Sequence, residues 1–305
     1  MPDVSVILCT HNPRSDFLAR TIAALIAQTL PRDAWELLAV DNASDPALPR
    51  STVEWHPRGR LLPEPAIGLT RARIRGIAAA QSALLVFVDD DNVLAPDYLA
   101  QALAVSRERP FLGAWGGAVT GEFEVPPPRW AEPYLPFLAL RDSAAEAWSN
   151  LSQISAATPC GAGLCVRRDV AEKWAQRASN DPRRLHLGRI GRGLGAGEDG
   201  DLAFTACDLG LGAGVLPSLR LNHIIPAERL TLAYLERLVE EMSRSEVLLR
   251  SLRQHVAPPP RFGIASRVVR ALNLLRLPAP TRRLIRAGER GRQAGHAALG
   301  AGVIS

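Results

Sequence analysis

Lysine is almost missing from this chain: Lys173 is the only one among 36 basic side chains, a bias that reflects genome composition rather than function. Cysteine is sparse as well. Cys9, Cys160, Cys165 and Cys207 show no metal-ligand spacing, and three of them sit in apolar runs where a free thiol packs as a small hydrophobe, which argues for a reducing, cytosolic compartment. No apolar run reaches the length of a membrane span, and the start at Met1-Pro2-Asp3 carries neither a basic leader nor an apolar signal core, so any membrane contact is expected to be peripheral. Aromatic residues make up 5% of the chain and are not interleaved with basic groups, which weakens a nucleic-acid reading. The formal charge of +5 misleads on this point. From Arg261 to Ser305 there are nine Arg and one Glu, a net of +8, so residues 1–260 carry a net of −3. The body is mildly acidic and the basicity belongs to the tail.

The stretch that organises the rest is Leu84-Leu85-Val86-Phe87-Val88, followed by Asp89-Asp90-Asp91-Asn92. An apolar pentad of this kind reads as a strand buried on both faces, and its acids then emerge at its carboxyl end, where open α/β sheets place their ligands. Two carboxylates about 5 Å apart repel by roughly 3 kcal/mol at an effective dielectric near 20. A divalent cation removes that cost, and hard cations such as Mg²⁺ and Mn²⁺ share carboxylate oxygens with substrate phosphates. A solvated acidic loop is the bland alternative; the buried strand favours the metal.

Val4 to Cys9 is a second apolar run, ending in Thr10-His11-Asn12-Pro13 and followed by Phe17, Leu18, Ile22, Leu25 and Ile26 at helical spacing. Trp35 to Val40 is a third strand, broken by the turn formers Asp41 to Pro46, and Arg71 to Ala80 reads as a helix. Strands alternating with helices imply a parallel sheet with right-handed crossovers. The ends of the three strands then bring Thr10, Asp41 and Asp89 to Asp91 into one crevice. Asp41 reads either as a turn residue or as the acceptor for a base imide N–H.

Val4-Ser-Val-Ile-Leu-Cys-Thr-His-Asn12, Val40-Asp-Asn-Ala-Ser44, Gly68-Leu-Thr-Arg-Ala-Arg73, Phe87-Val-Asp-Asp-Asp91, Gly161 to Arg168 and Gly197-Glu-Asp-Gly-Asp-Leu202 resemble, in this order and spacing, the family 2 glycosyltransferases with the GT-A fold. The resemblance covers about residues 3 to 225, with one departure at Ile74, where the family usually has Asn. It implies an α/β GT-A fold, a mixed, mostly parallel sheet flanked by helices, with a C-terminal helical extension. It also implies a metal-dependent, inverting transfer from a nucleotide-diphosphate sugar of UDP, dTDP or GDP type to a hydroxyl of a glycan or lipid-linked acceptor, with Mg²⁺ or Mn²⁺ as cofactor. By that resemblance Thr10 and Asp41 lie at the base and Arg71 or Arg73 near the diphosphate. Asp89 and Asp90 lie near ribose and donor sugar, and Asp91 binds the metal with Asp89 of the same DxD motif. Asp199 is implied as general base, with Glu198 beside it, and His223 as a further metal or diphosphate ligand.

The expected domains are 1–226 for the transferase, 227–257 for a helical extension packed on it and 258–305 for a basic tail. Glu122 to Arg141, with five prolines and Trp130, Tyr134 and Phe137, is a candidate acceptor loop, or else a cover for the far end of the sheet. In the tail Ile264, Val268, Leu272 and Leu275 share a helical face, which suits either an anchor at the inner face of the cell membrane or a helix docked on its own domain or a partner subunit. From Gly288 onward the Gly-, Ala- and Arg-rich composition predicts disorder. Two other functions compete. A nucleotidyltransferase would want a Gly-rich, basic phosphate loop after the first strand, which Thr10-His11-Asn12-Pro13 does not offer. A non-catalytic sugar-nucleotide-binding protein is disfavoured by the intact acids at 89 to 91 and 198 to 201.

Overall fold

The computed structural model describes residues 1–253 and 273–300. Its elements run β1 (Val4–Thr10), α1 (Ser15–Ile26), β2 (Trp35–Asp41), α2 (Ser51–Glu54), β3 (Gly59–Pro63), α3 (Leu69–Ala79), β4 (Leu84–Asp89), β5 (Asn92–Leu94), α4 (Tyr98–Glu108) and β6 (Leu112–Phe123). After a 3₁₀ segment (Arg129–Leu138) come β7 (Ala147–Ser149), β8 (Cys165–Arg167), α5 (Arg168–Asn180), α6 (Pro182–Leu185), α7 (Glu198–Asp208) and β9 (Gly212–Ile225). A 3₁₀ turn (Ala227–Leu230) leads to α8 (Leu232–Arg253), and α9 (Ala279–Gly300) completes the described chain.

The strands form one mixed sheet in the order β3-β2-β1-β4-β8-β6-β9-β5, with β7 also paired to β9. β3, β2, β1 and β4 are mutually parallel, β8 runs antiparallel between β4 and β6, and β6 pairs β9 in parallel. β1, β2 and β4 are apolar at nearly every position because both of their faces are covered, and the buried Ser5 and Glu36 that interrupt β1 and β2 are hydrogen-bonded to each other at 2.6 Å. Val6, Leu8, Leu37, Val86 and Val88 face a core closed by Leu25 of α1 and Leu99 of α4. Ile7, Leu38, Val40, Leu85 and Phe87 face the other, closed by Ile77 of α3, Trp174 of α5 and Leu202 of α7. This is the GT-A arrangement, with a helical segment at the C-terminal side.

β6 and β9 are the long strands, and their register jumps where Gly117 and Ala118 meet Leu216 and Arg220. Pro217, Ser218 and Leu219 form the bulge, which is where a strand tolerates a proline. A Cβ on Gly117 would stand 1.9 Å from the Leu219 carbonyl oxygen, so the crossing requires glycine.

The Pro-rich segment is a 3₁₀ helix whose Ala131 and Leu138 are buried in a third core with Ile225, Leu235, Leu238 and Leu284, joined by Trp130 and Tyr134. Trp130 and Tyr134 thus cover the sheet end at Phe123 and Ile225 together with the C-terminal helices, while Phe137 stays exposed. The expected disorder from Gly288 onward gives way to α9, which lies along α8. Gly288, Gly291 and Gly295 are buried at that contact, and a Cβ on Gly291 would meet the Glu240 carbonyl oxygen at 2.0 Å. Arg283 and Arg290 pair with Glu236 and Glu240 at 2.6 and 2.7 Å. Close packing and opposite charge thus order a segment that composition alone would leave loose. The Pro258–Pro260 boundary and the apolar face from Ile264 to Leu272 lie outside the described residues. Among the described residues no helix is long and apolar enough to cross a membrane.

Candidate active site

Parallel pairing aligns Thr10 with Asp41 and Cys9 with Asp89, so the carboxyl ends of β1, β2 and β4 meet at one sheet edge. Asp41 is buried there and its two oxygens accept the backbone N–H groups of Ser44 (3.1 Å) and Leu48 (2.9 Å). The neighbouring Asn42 ties three segments together: its amide donates to the carbonyls of Glu64 and Ala66, and its oxygen accepts from Gly68 N–H at 2.8 Å. His11 Nδ1–H donates to the Asn42 carbonyl at 2.7 Å. Thr10 donates its hydroxyl proton to the Asp90 carboxylate. Burial, together with the charge of Asp91, pushes Asp90 up to about 7 despite that hydrogen bond.

Asp91 is almost fully buried. Its Oδ1 accepts from Asn92 Nδ2 at 3.0 Å, and its Oδ2 lies 3.2 Å from His223 Nε2 and 3.1 Å from Arg229 Nη1. Burial alone would raise its pKa, but His223, Arg229 and Arg189 hold it well below the usual carboxylate range. The sheet sets this proximity. β5 pairs with β9 so that Asn92 faces His223, and Ile224 N–H donates to the Asp91 carbonyl at 2.9 Å. His223 Nδ1 faces the Leu138 carbonyl at 2.9 Å, and since a carbonyl only accepts, Nδ1 carries a proton and Nε2 is the nitrogen turned toward Asp91. A carbonyl accepting from the far ring nitrogen in this way orients an imidazole for a metal.

Among the described residues no three His, Cys, Asp or Glu side chains group to hold a metal. One carboxylate and one imidazole still fit Mg²⁺ or Mn²⁺, because such ions take one or two protein ligands and complete their shell with phosphate oxygens and water. Asp89, a third of its side chain exposed, faces Arg73 Nη2 at 3.9 Å and feels the charge of Asp91 as well.

Arg73 is 2% exposed, whereas Arg71 lies on the outer face of α3. Its guanidinium reaches Glu198 Oε1 at 3.2 Å on the other side, so it bridges the acids after β4 to the acids that open α7. Glu198 Oε2 accepts from Thr70 Oγ1 at 3.0 Å. Burial outweighs Arg73 for both neighbours and pushes Asp89 and Glu198 upward. Gly188 passes directly over this cluster: a Cβ there would come within 2.3 Å of Glu198 Oε2. Next along α7, the partly exposed Asp199 accepts from Gly161 N–H at 3.0 Å and Gly200 N–H at 2.8 Å. Gly161 itself lies against Arg73, where a Cβ would stand 2.7 Å from Nη2. Asp201, by contrast, is turned inward and holds Trp174, Arg184 and Arg253.

The structure therefore gathers Thr10, Asp89, Asp90, Asp91 and His223 with Arg73, Glu198 and Asp199 around one sheet edge. It adds Arg229, Arg189, Thr70 and Asn92, which sequence reasoning did not single out. Arg229 gave no local signal in an Arg-rich chain; the position of Arg73 could have been read from Ile77, one turn on and buried on the same face of α3.

Paired acids and arginines gathered at one edge of a mixed, mostly parallel sheet flanked by helices define a GT-A fold with its candidate site at that edge. The family model of glycosyl transferase family 2 matches residues 5–174, more than half of the chain, and the chain belongs to that family. The match ends before Glu198 and Asp199. Polypeptide N-acetylgalactosaminyltransferase 13 of Homo sapiens is 30% identical over 114 residues, covering 35% of this chain and 20% of that one. The Rattus norvegicus counterpart matches to the same extent, so the matched region spans about one fifth of the length of these relatives. Among solved structures, the mannosyltransferase PcManGT from Pyrobaculum calidifontis, in complex with GDP-Man and Mn²⁺, superposes with a TM-score of 0.57 at 21% identity, covering 97% of this chain and 76% of that one.

Proposed function

We propose that this glycosyltransferase moves a sugar from a nucleoside-diphosphate sugar to a hydroxyl of a glycan or lipid-linked acceptor, with inversion at the anomeric carbon and with a divalent cation at Asp91 and His223. The observation that carries this reading is the buried bridge Asp89–Arg73–Glu198, which joins the acids at the end of β4 to Asp199 on α7. A structural relative that holds GDP-Man and Mn²⁺ supports the donor class and the cation.

Asp91 and the oriented Nε2 of His223 would hold a divalent ion, which when bound would supply Lewis-acid stabilisation of the departing diphosphate. Asp199 is the proton acceptor. Its two backbone hydrogen bonds fix the carboxylate, and its partial exposure leaves it open to an incoming hydroxyl. As the acceptor oxygen bonds to the anomeric carbon, the bond from that carbon to the phosphate oxygen breaks, the electron pair leaves with the nucleoside diphosphate, and the acceptor proton passes to Asp199. A carboxylate does not deprotonate a free alcohol beforehand, but it takes the proton as the C–O bond forms. Arg73, sealed beneath the site, positions Asp89 and Glu198.

Thermal denaturation with UDP, dTDP and GDP, each with and without Mn²⁺, tests the reading. At least one nucleotide should raise Tm in a Mn²⁺-dependent manner, and Asp91→Asn should abolish the metal-dependent part. If none of the three does so, the donor and cation assignments fall together.

A further inference from the structure

Arg229 stands where a cation would. Its Nη1 lies 3.1 Å from Asp91 Oδ2 and 3.3 Å from His223 Nε2, and these two atoms are themselves 3.2 Å apart. The guanidinium thus occupies the angle between the two groups best suited to ligate a metal. Among the described residues, its side chain has no other hydrogen-bond or ion-pair partner.

An arginine cannot leave such a place by giving up its proton, because its guanidinium stays charged at any working pH. A divalent ion bound to the same Oδ2 and Nε2 would sit within a few ångströms of that charge, and the two cannot coexist in a site this buried. One of them has to move. Arg73 could not, since its side chain is 3% exposed and clamped between two acids. Arg229 can: its side chain is 20% exposed and it springs from a single 3₁₀ turn after Pro226.

We propose that Arg229 is a resident cation that closes the metal site of the substrate-free protein and is displaced when a divalent ion binds. The proposal rests on the assignment of Asp91 and His223 to the ion. Displacement makes binding of the ion alone weak. A donor arriving with the ion supplies diphosphate oxygens that can take the freed guanidinium, so ion and donor bind better together than separately. The same side chain thereby neutralises Asp91 in the empty site and meets phosphate in the filled one.

The test is Mn²⁺ alone, titrated by electron paramagnetic resonance into the full chain without nucleotide, for wild type, Arg229→Gln, Arg229→Lys and Asp91→Asn. Arg229→Gln should bind Mn²⁺ about tenfold more tightly than wild type, within the usual span of coupling between sites. Arg229→Lys keeps the charge and should stay weak, and Asp91→Asn should not bind. Arg229→Met takes the place of Arg229→Gln should that variant fail to fold. Equal or weaker binding by the neutral variants, with Asp91→Asn still inactive toward the ion, overturns the role of Arg229 and leaves the metal assignment standing. Arg229→Lys matching Arg229→Gln overturns it too, since charge would not be the obstacle. Indifference of Mn²⁺ binding to Asp91→Asn overturns the metal assignment itself.

Discussion

Arg73 of α3 and Glu198 of α7 face each other at 3.2 Å with side chains 3% and 4% exposed, so each is the other's means of staying charged in the interior. Removing one partner of such a pair costs about 3–5 kcal/mol, because the remaining charge is left buried and uncompensated. Arg73→Met should lower the stability to urea by that amount near neutral pH. Burial already pushes Glu198 upward, and without Arg73 it would rise further. A protonated Glu198 needs no counter-charge, so the loss should shrink on acidification. Adding Glu198→Gln to Arg73→Met should recover part of it, which a double-mutant cycle measures.

Asp199→Asn should reduce kcat by about 10²–10⁴, the usual worth of a positioned proton acceptor, and leave the nucleotide-induced Tm shift in place. Steady-state kinetics beside thermal denaturation separates the two effects. A parallel loss of nucleotide binding would count against the assigned role.

Much of this site was legible because its acids follow runs that can only be buried strands. Leu84 to Val88 is apolar at every position and Val4 to Cys9 at every position but Ser5, whose hydroxyl is satisfied by Glu36, as suits strands covered on both faces. β6 was not legible. Its residues Leu112 to Phe123 are rich in glycine, poor in β-branched side chains and carry no alternation, because Leu219 and the ring of Phe123 press against Gly117 and Gly121. That requirement comes from tertiary crowding, which local propensity does not record. α9 was misread for the same reason: its glycines look like disorder until Glu240 and Val247 of α8 lie against them. Arg229 shows a different limit, since its importance rests on a distance to Asp91 that only the folded chain creates.

His56 is 3% exposed, its ring centroid 4.1 Å from that of Trp35 in a tilted contact and 5.3 Å from that of Trp55 edge-on, and its Nδ1 accepts the Arg58 N–H at 3.1 Å. Burial, with the charges of Arg32 and Arg58, pushes it down to about 4 from an ordinary 6.5. Between those values the unfolded chain takes up a proton that the native protein refuses, so stability falls as pH falls through this window. The stability of His56→Leu should therefore decline less than that of wild type between pH 7 and pH 5. Urea midpoints at the two pH values give the comparison.

Gly291→Ala should cost about 1–3 kcal/mol, the usual penalty for overfilling a packed contact, since its Cβ would press on the Glu240 carbonyl oxygen at 2.0 Å. Gly300→Ala meets nothing within 4 Å and should stay within about 1 kcal/mol of wild type. Thermal unfolding of the two variants side by side checks whether α9 is held to α8 by this close approach.

The ladder between β5 and β9 carries Asn92 opposite His223. Side chains alternate along a strand, so adding or deleting one residue between Arg220 and His223 would turn the imidazole to the reverse side of the sheet and strand Asp91 without it. Variation in this stretch can therefore change the identity of its residues but not their number. Anyone redesigning the enzyme should exchange side chains here and place insertions elsewhere.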